Sequence, residues 1–271
     1  MLRCLILALL APLALRAAQP DPGAEAFSRE VVPRLEVPAR EQADYAKRLD
    51  AALARAGVED ARPQYFLLVD RSPRVQAAFL YWRSPDGVFQ LVGATPAATG
   101  RPGEYEHFLT PLGVFAHSLA NPDFRAEGTR NTLGILGYGA KGMRVYDFGW
   151  VEAERTWDPG VESPMRLQVH STDPDLLEPT LGTWRSKGCI RIPALLNIFI
   201  DRYGLLDAEL ARRLRLLERL VGCHELVIGA IELGAASHAS ERKRQRDQEC
   251  THADSFPPAR AAVLTEVKPP A

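Results

Sequence analysis

The spacing of hydrophobic positions along the chain changes near residue 60. Before it, apolar residues recur three and four apart, most clearly in residues 41–57 (EQADYAKRLDAALARAG), and this predicts a helical segment over residues 22–57 that stops at Gly57. From Gln64 onward, short runs rich in β-branched and aromatic residues take over. Residues 65–70 (YFLLVD), 75–82 (VQAAFLYW) and 88–94 (VFQLVGA) read as strands, separated by the turn formers Arg71-Ser72-Pro73 and Ser84-Pro85-Asp86-Gly87. Further strands fit residues 113–117, 143–148 and 165–170. A helix is predicted over 193–220, with Pro193 in its first turn and a break near Gly204. A last strand fits residues 224–233 (HELVIGAIEL), and beyond it the chain turns polar, charged and proline-rich. The expected fold is mostly β, with an N-terminal helical segment and a helix after residue 193.

The ends refine this organisation. The chain starts with one early cation, Arg3, then an apolar stretch over residues 4–15 and the small residues Ala17 and Ala18. That order reads as a secretory signal peptide over residues 1–18, because the apolar stretch is short of the ~20 residues that span a bilayer. An uncleaved anchor is the alternative. The remaining segments are a helical prefix over 19–62, one sizeable strand-rich domain over 63–233, and a tail over 234–271 expected to be disordered. The net charge of -1 and the lack of a long Lys/Arg stripe leave no broad field for nucleic acid. Outside the signal the cysteines are Cys189, Cys223 and Cys250, an odd number for an oxidising compartment, so at least one thiol is unpaired within the chain. If Cys189 is kept for chemistry, Cys223 and Cys250 are the pair free to bond. His107, His117, His224, His238 and His252 lack metal-ligand spacing, so neither a metal nor an organic cofactor is expected.

The segment Arg185-Ser186-Lys187-Gly188-Cys189-Ile190-Arg191 has what an acyl-attacking cysteine needs. Gly188 allows close backbone approach, the amides around Cys189 can receive an oxyanion, and Lys187 and Arg191 would favour a thiolate if they lie near. The same residues also fit a buried structural cysteine at a helix start. Upstream, Leu167-Gln168-Val169-His170 reads as a strand ending in an imidazole, and the loop after it can return to the thiol. A structural histidine is again the plain alternative, since spacing alone does not establish contact.

Taken together, these motifs resemble the catalytic domain of the YkuD-type L,D-transpeptidases. That family carries His, a short loop, then Ser/Thr-His-Gly-Cys, commonly followed by Ile-Arg. Here His170 is followed by fifteen residues and then Ser186-Lys187-Gly188-Cys189-Ile190-Arg191. His170-Ser171-Thr172 and Leu181-Gly182 match within the loop. So do Ala98-Thr99-Gly100-Arg101-Pro102-Gly103 and Thr110-Pro111-Leu112-Gly113-Val114-Phe115 upstream. The resemblance covers about residues 64–231.

It implies a β-sandwich-like catalytic domain acting on peptidoglycan peptide stems in the periplasm, with carbapenems as inhibitors. Cys189 would be the nucleophile and His170 the general base, oriented by the backbone carbonyl of Ser171. Ser186 and the amides of Gly188 and Cys189 would shape the oxyanion site, and Arg191 would buttress the loop or meet a substrate carboxylate. Trp184 and Tyr138 would line the groove, or else pack in the core. The chain departs from the family at Lys187, which stands where the motif usually has His; a lysine does not act as a neutral imidazole near pH 7 unless strongly desolvated. This puts acceptor choice in question, along with the balance of transfer and hydrolysis. A hydrolase on the same scaffold and a non-catalytic wall-binding module are the competing readings. Oligomeric state is not legible.

Overall fold

Two prolines divide the predicted N-terminal helix. The computed structural model describes residues 22–58, 62–117, 120–207 and 262–266, and in it α1 (Pro22–Glu30) is separated from α2 (Ala39–Arg55) by a stretch containing Pro33 and Pro38. A proline lacks the N–H that a helix interior needs, so the segment breaks there and restarts after Pro38. Tyr45, Leu49, Ala52 and Leu53 recur at helical spacing and form the buried stripe of α2.

Strands β1 (Gln64–Asp70), β2 (Ala77–Arg83) and β3 (Phe89–Pro96) form an antiparallel meander, followed by β4 (Gly113–Ala116). A second sheet contains β5 (Val145–Glu154), β6 (Glu162–His170) and the short β7 (Ile190–Arg191), with β7 parallel to β6. Helix α3 (Ala194–Arg202) follows, and the chain turns at Gly204. The fold is strand-rich, with two sheets and few helices among the described residues.

Every residue of β1 is buried because both of its faces are covered. Tyr65, Leu67 and Val69 face Leu167 and Val169 of β6, Ile190 of β7, and Leu196 and Phe199 of α3. Phe66 and Leu68 face Tyr45, Leu49 and Leu53 of α2. A strand covered on both sides reads as a continuous apolar run, which is the texture of residues 65–70.

The expectation of a disordered tail over 234–271 fails for five of its residues. Ala262–Glu266 forms β8, parallel to β1 and antiparallel to β4, giving the first sheet the order β3-β2-β1-β8-β4. Without β8 the edge of β1 facing away from β2 would leave its backbone groups unpaired, and a short β-forming run (AVLTE) satisfies them despite its polar surroundings. The signal segment, the chain beyond 207 in the predicted helix, the predicted strand over 224–233, and Cys223 and Cys250 lie outside the described residues. No helix among the described residues is long and apolar enough to cross a membrane.

Candidate active site

Alternation along β6 separates core from chemistry. Met165, Leu167 and Val169 enter the core, so Arg166, Gln168 and His170 point to the opposite side. On β5, Asp147 stands opposite Gln168 and Trp150 opposite Arg166, with a bulge between the two. On β7, Ile190 enters the core opposite Val169, and Arg191 stands beside His170. Parallel register therefore brings the Cys189 segment next to the end of β6.

The β6–β7 ladder is interrupted at the cysteine. The carbonyl of Gly188 accepts the Thr110 hydroxyl at 2.7 Å instead of continuing along β6, and the same hydroxyl receives the Gly100 N–H at 2.9 Å. The sulfur takes over at the ladder's edge: Cys189 Sγ receives the N–H of Gln168 and donates to the Arg166 carbonyl at 3.6 Å. Ser186 Oγ donates to the Cys189 carbonyl at 2.5 Å and receives the Gly188 N–H at 3.1 Å.

Two expectations change here. The resemblance assigns the Gly188 amide to the oxyanion site, but Ser186 occupies it, which leaves the Cys189 N–H as the nearby donor with no partner among the described residues. The sequence also reads Gly188 as room for a substrate. Its φ of 128°, and the 2.8 Å that would separate an added Cβ from Met165 Sδ, show instead that its own backbone and core packing require a glycine.

His170 is 4% exposed, and its Nδ1 lies 2.5 Å from the Ser171 carbonyl. A carbonyl only accepts, so Nδ1 holds the proton and Nε2 presents a lone pair. The Tyr138 ring meets the imidazole edge-on at 4.6 Å, its hydroxyl donates to Gln168 Oε1 at 2.9 Å, and its carbonyl receives Ser171 Oγ at 3.1 Å. Burial pulls the imidazole down to about 4 against the Ser171 carbonyl, which favours its charged form; Arg191 lowers it further.

Burial also pushes the Cys189 thiol up to about 11, over the opposing effects of the Gln168 N–H and Arg191. Of the two cations expected to favour a thiolate if they lie near, Arg191 acts in that direction and Lys187 does not face the thiol. Lys187 is exposed and turned toward Glu106, 3.6 Å away. The charge of Arg191 acts on the thiol but is outweighed by desolvation. The resting pair is a neutral thiol and a neutral imidazole.

Arg191 ties the two motif regions together. Its backbone exchanges hydrogen bonds with Ala98 at 2.9 Å in each direction, and its Nη1 donates to the Arg185 carbonyl at 2.8 Å. Its Nε is buried with no partner among the described residues. Ser186 N–H reaches the Thr99 carbonyl at 3.0 Å, so the Thr99-Gly100 turn also holds the cysteine loop. Trp184 is not brought to the thiol; its indole donates to the Arg71 carbonyl at 3.0 Å and anchors the loop to the turn after β1.

Motif reading includes Thr110 and Gln168 in its segments without giving them a role, and it misses Arg166 and Asp147 altogether. Arg166 clamps the buried Asp147 carboxylate, with Nε 3.1 and 3.0 Å from its two oxygens. Counting back in twos from His170 finds Gln168 and Arg166, because strand residues two apart share a face. Among the described residues no group of acidic, His or Cys side chains is arranged to hold a metal ion.

Chemically, the arrangement offers a partly exposed cysteine, a neighbouring strand that carries a fixed imidazole, and an open amide at the nucleophile. Comparison with models of known protein families finds no match, and comparison with curated proteins finds none.

Proposed function

We propose that this chain is an exported cysteine acyltransferase of the L,D-transpeptidase type, acting on the peptide stems of the bacterial cell wall. The observation that carries the reading is the register of β6 and β7. It sets the Cys189 segment beside His170, whose Nδ1 is committed to the Ser171 carbonyl and whose Nε2 is left as the base. The two-sheet, strand-rich architecture is compatible with the catalytic fold of that family. The motif resemblance supplies the substrate class, and the leader over residues 1–18 supplies the compartment.

Because thiol and imidazole are both neutral at rest, proton transfer accompanies attack. Sγ bonds to the donor carbonyl carbon as His170 Nε2 takes the thiol proton, and the Cys189 N–H faces the oxyanion. The tetrahedral adduct collapses to a thioester as the C–N bond breaks, and the leaving amine departs with the proton from His170. An acceptor amine then attacks the thioester, gives its proton to His170, and a new amide forms as the thiol is restored.

The test is mass spectrometry of products from a tetrapeptide stem, with and without an amine acceptor. A ligated peptide that needs both the acceptor and Cys189 is the expected result. Release of the terminal residue with no ligation would make the chain a hydrolase, and ligation by Cys189→Ala would remove the cysteine from the mechanism.

A further inference from the structure

Parity along β6 shows which of its backbone groups are committed. The His170 carbonyl receives Ile192 N–H at 3.0 Å, the Gln168 N–H meets Cys189 Sγ, and the Arg166 carbonyl receives the thiol. Even-numbered residues therefore turn their N–H and C=O away from β5. Continuing the alternation, the Arg166 N–H and the Pro164 carbonyl face the same way, and neither has a backbone partner among the described residues. Strand β7 pairs with Val169 and His170, so the edge of β6 from Glu162 to Arg166 has no strand partner among the described residues.

This open edge begins at the reactive sulfur, because the thiol occupies the slot that the Gly188 carbonyl vacates for Thr110. Unpaired edge groups are a template for another extended chain. The residues next to the thiol include two arginines, Arg166 through its carbonyl and Arg191 through its charge. Arg166 spends its Nε and Nη2 on Asp147 and keeps Nη1 without a partner among the described residues, while the buried Arg191 Nε is likewise unpartnered. Glu162 lies at the far end of the edge, so carboxylate recognition belongs near the sulfur.

We infer that the acyl donor binds as an added strand on the outer edge of β6, as an extended peptide bearing a carboxylate near the scissile carbonyl. Its main chain pairs with the Arg166 N–H and the Pro164 carbonyl, and its carboxylate meets the free guanidinium donor of Arg166. This rests on Cys189 being the nucleophile, and it adds how the donor is held and why that donor is anionic and extended. Pro164 has no N–H, so this edge recognises only a partner that places a donor opposite its carbonyl.

Single N-methylation along the donor peptide tests this on the unaltered protein. Methylation of the one amide that donates to the Pro164 carbonyl should slow Cys189 acylation about tenfold, the effect of ~1.4 kcal/mol, while methylation of the neighbouring amides, which point away from β6, changes little. In a second arm, Arg166→Pro should acylate more slowly than Arg166→Ala, since both lack the guanidinium and only the proline lacks the N–H. The melting temperature of each variant shows whether it is folded, and the peptide rate is read relative to labelling by p-nitrophenyl acetate, which has no peptide to pair. A uniform N-methyl scan with equal rates for the two Arg166 variants overturns the inference while the cysteine chemistry stands. Failure of Cys189 to react with either p-nitrophenyl acetate or the peptide removes the proposed chemistry and takes the inference with it.

Discussion

At Cys189 and His170, burial sets the chemistry more strongly than neighbouring charge does. The sequence shows two cations around the cysteine, Lys187 and Arg191, yet the first faces Glu106 and the second is outweighed by desolvation. A thiol pushed up to about 11 is ionised in fewer than about one molecule in a thousand at pH 7.5. Only the thiolate reacts with iodoacetamide, so alkylation of Cys189 should climb roughly tenfold per pH unit through pH 10 without levelling off. A plateau below pH 8, measured by intact mass, would mean that the thiolate is preformed and that the burial argument is wrong. The imidazole is poised the opposite way: held down to about 4, it is neutral and available as a base above that pH, while the thiol stays protonated up to about 11.

Among the elements, the loop that carries the cysteine depends on a residue far away in sequence. Thr110 holds both the Gly188 carbonyl and the Gly100 N–H, so its hydroxyl joins the Thr99-Gly100 turn to the nucleophile. Thr110→Val keeps the shape and removes both bonds, leaving two buried backbone groups unsatisfied at about 1–3 kcal/mol each. Its acylation rate should fall even at temperatures where the variant is fully folded, because the Gly188 carbonyl becomes free to rejoin β6 and displace the sulfur. Wild-type acylation in that variant would show that the interrupted ladder is incidental. Most strands are legible in the sequence because their apolar runs are bounded by turn formers, as at Arg71-Ser72-Pro73. The division of the N-terminal helix is also written there, in Pro33 and Pro38. Strand β5 runs past its expected end because the bulge between Asp147 and Trp150 shifts the alternation, hiding the continuation to Glu154. The two residues of β7 are too short for any periodicity to show. The contact of Thr110 with Gly188 depends on packing between segments 78 residues apart, which no local pattern carries.

In the molecule as a whole, the first sheet is sandwiched between α2 and the second sheet, and the candidate site lies on the side of the second sheet that faces away from the core. The stability of that support extends to the tail, since β8 fills the gap between β1 and β4. Deleting residues 261–271 should therefore cost a few kcal/mol, seen as a drop of roughly 5–10 °C in melting temperature. An unchanged melting temperature would return those residues to the dispensable tail that their polar surroundings suggest. The tail misleads because a five-residue strand is a small island in a polar stretch, and its partners are far upstream. The site's function reduces to one bond, the thioester between Cys189 and an acyl donor, and intact-mass spectrometry under donor excess measures it directly. The expected result is a single adduct on Cys189, absent in folded Cys189→Ala and formed about 10²–10⁴-fold more slowly in His170→Ala. An adduct that persists in Cys189→Ala, or forms at the wild-type rate in His170→Ala, would contradict the account.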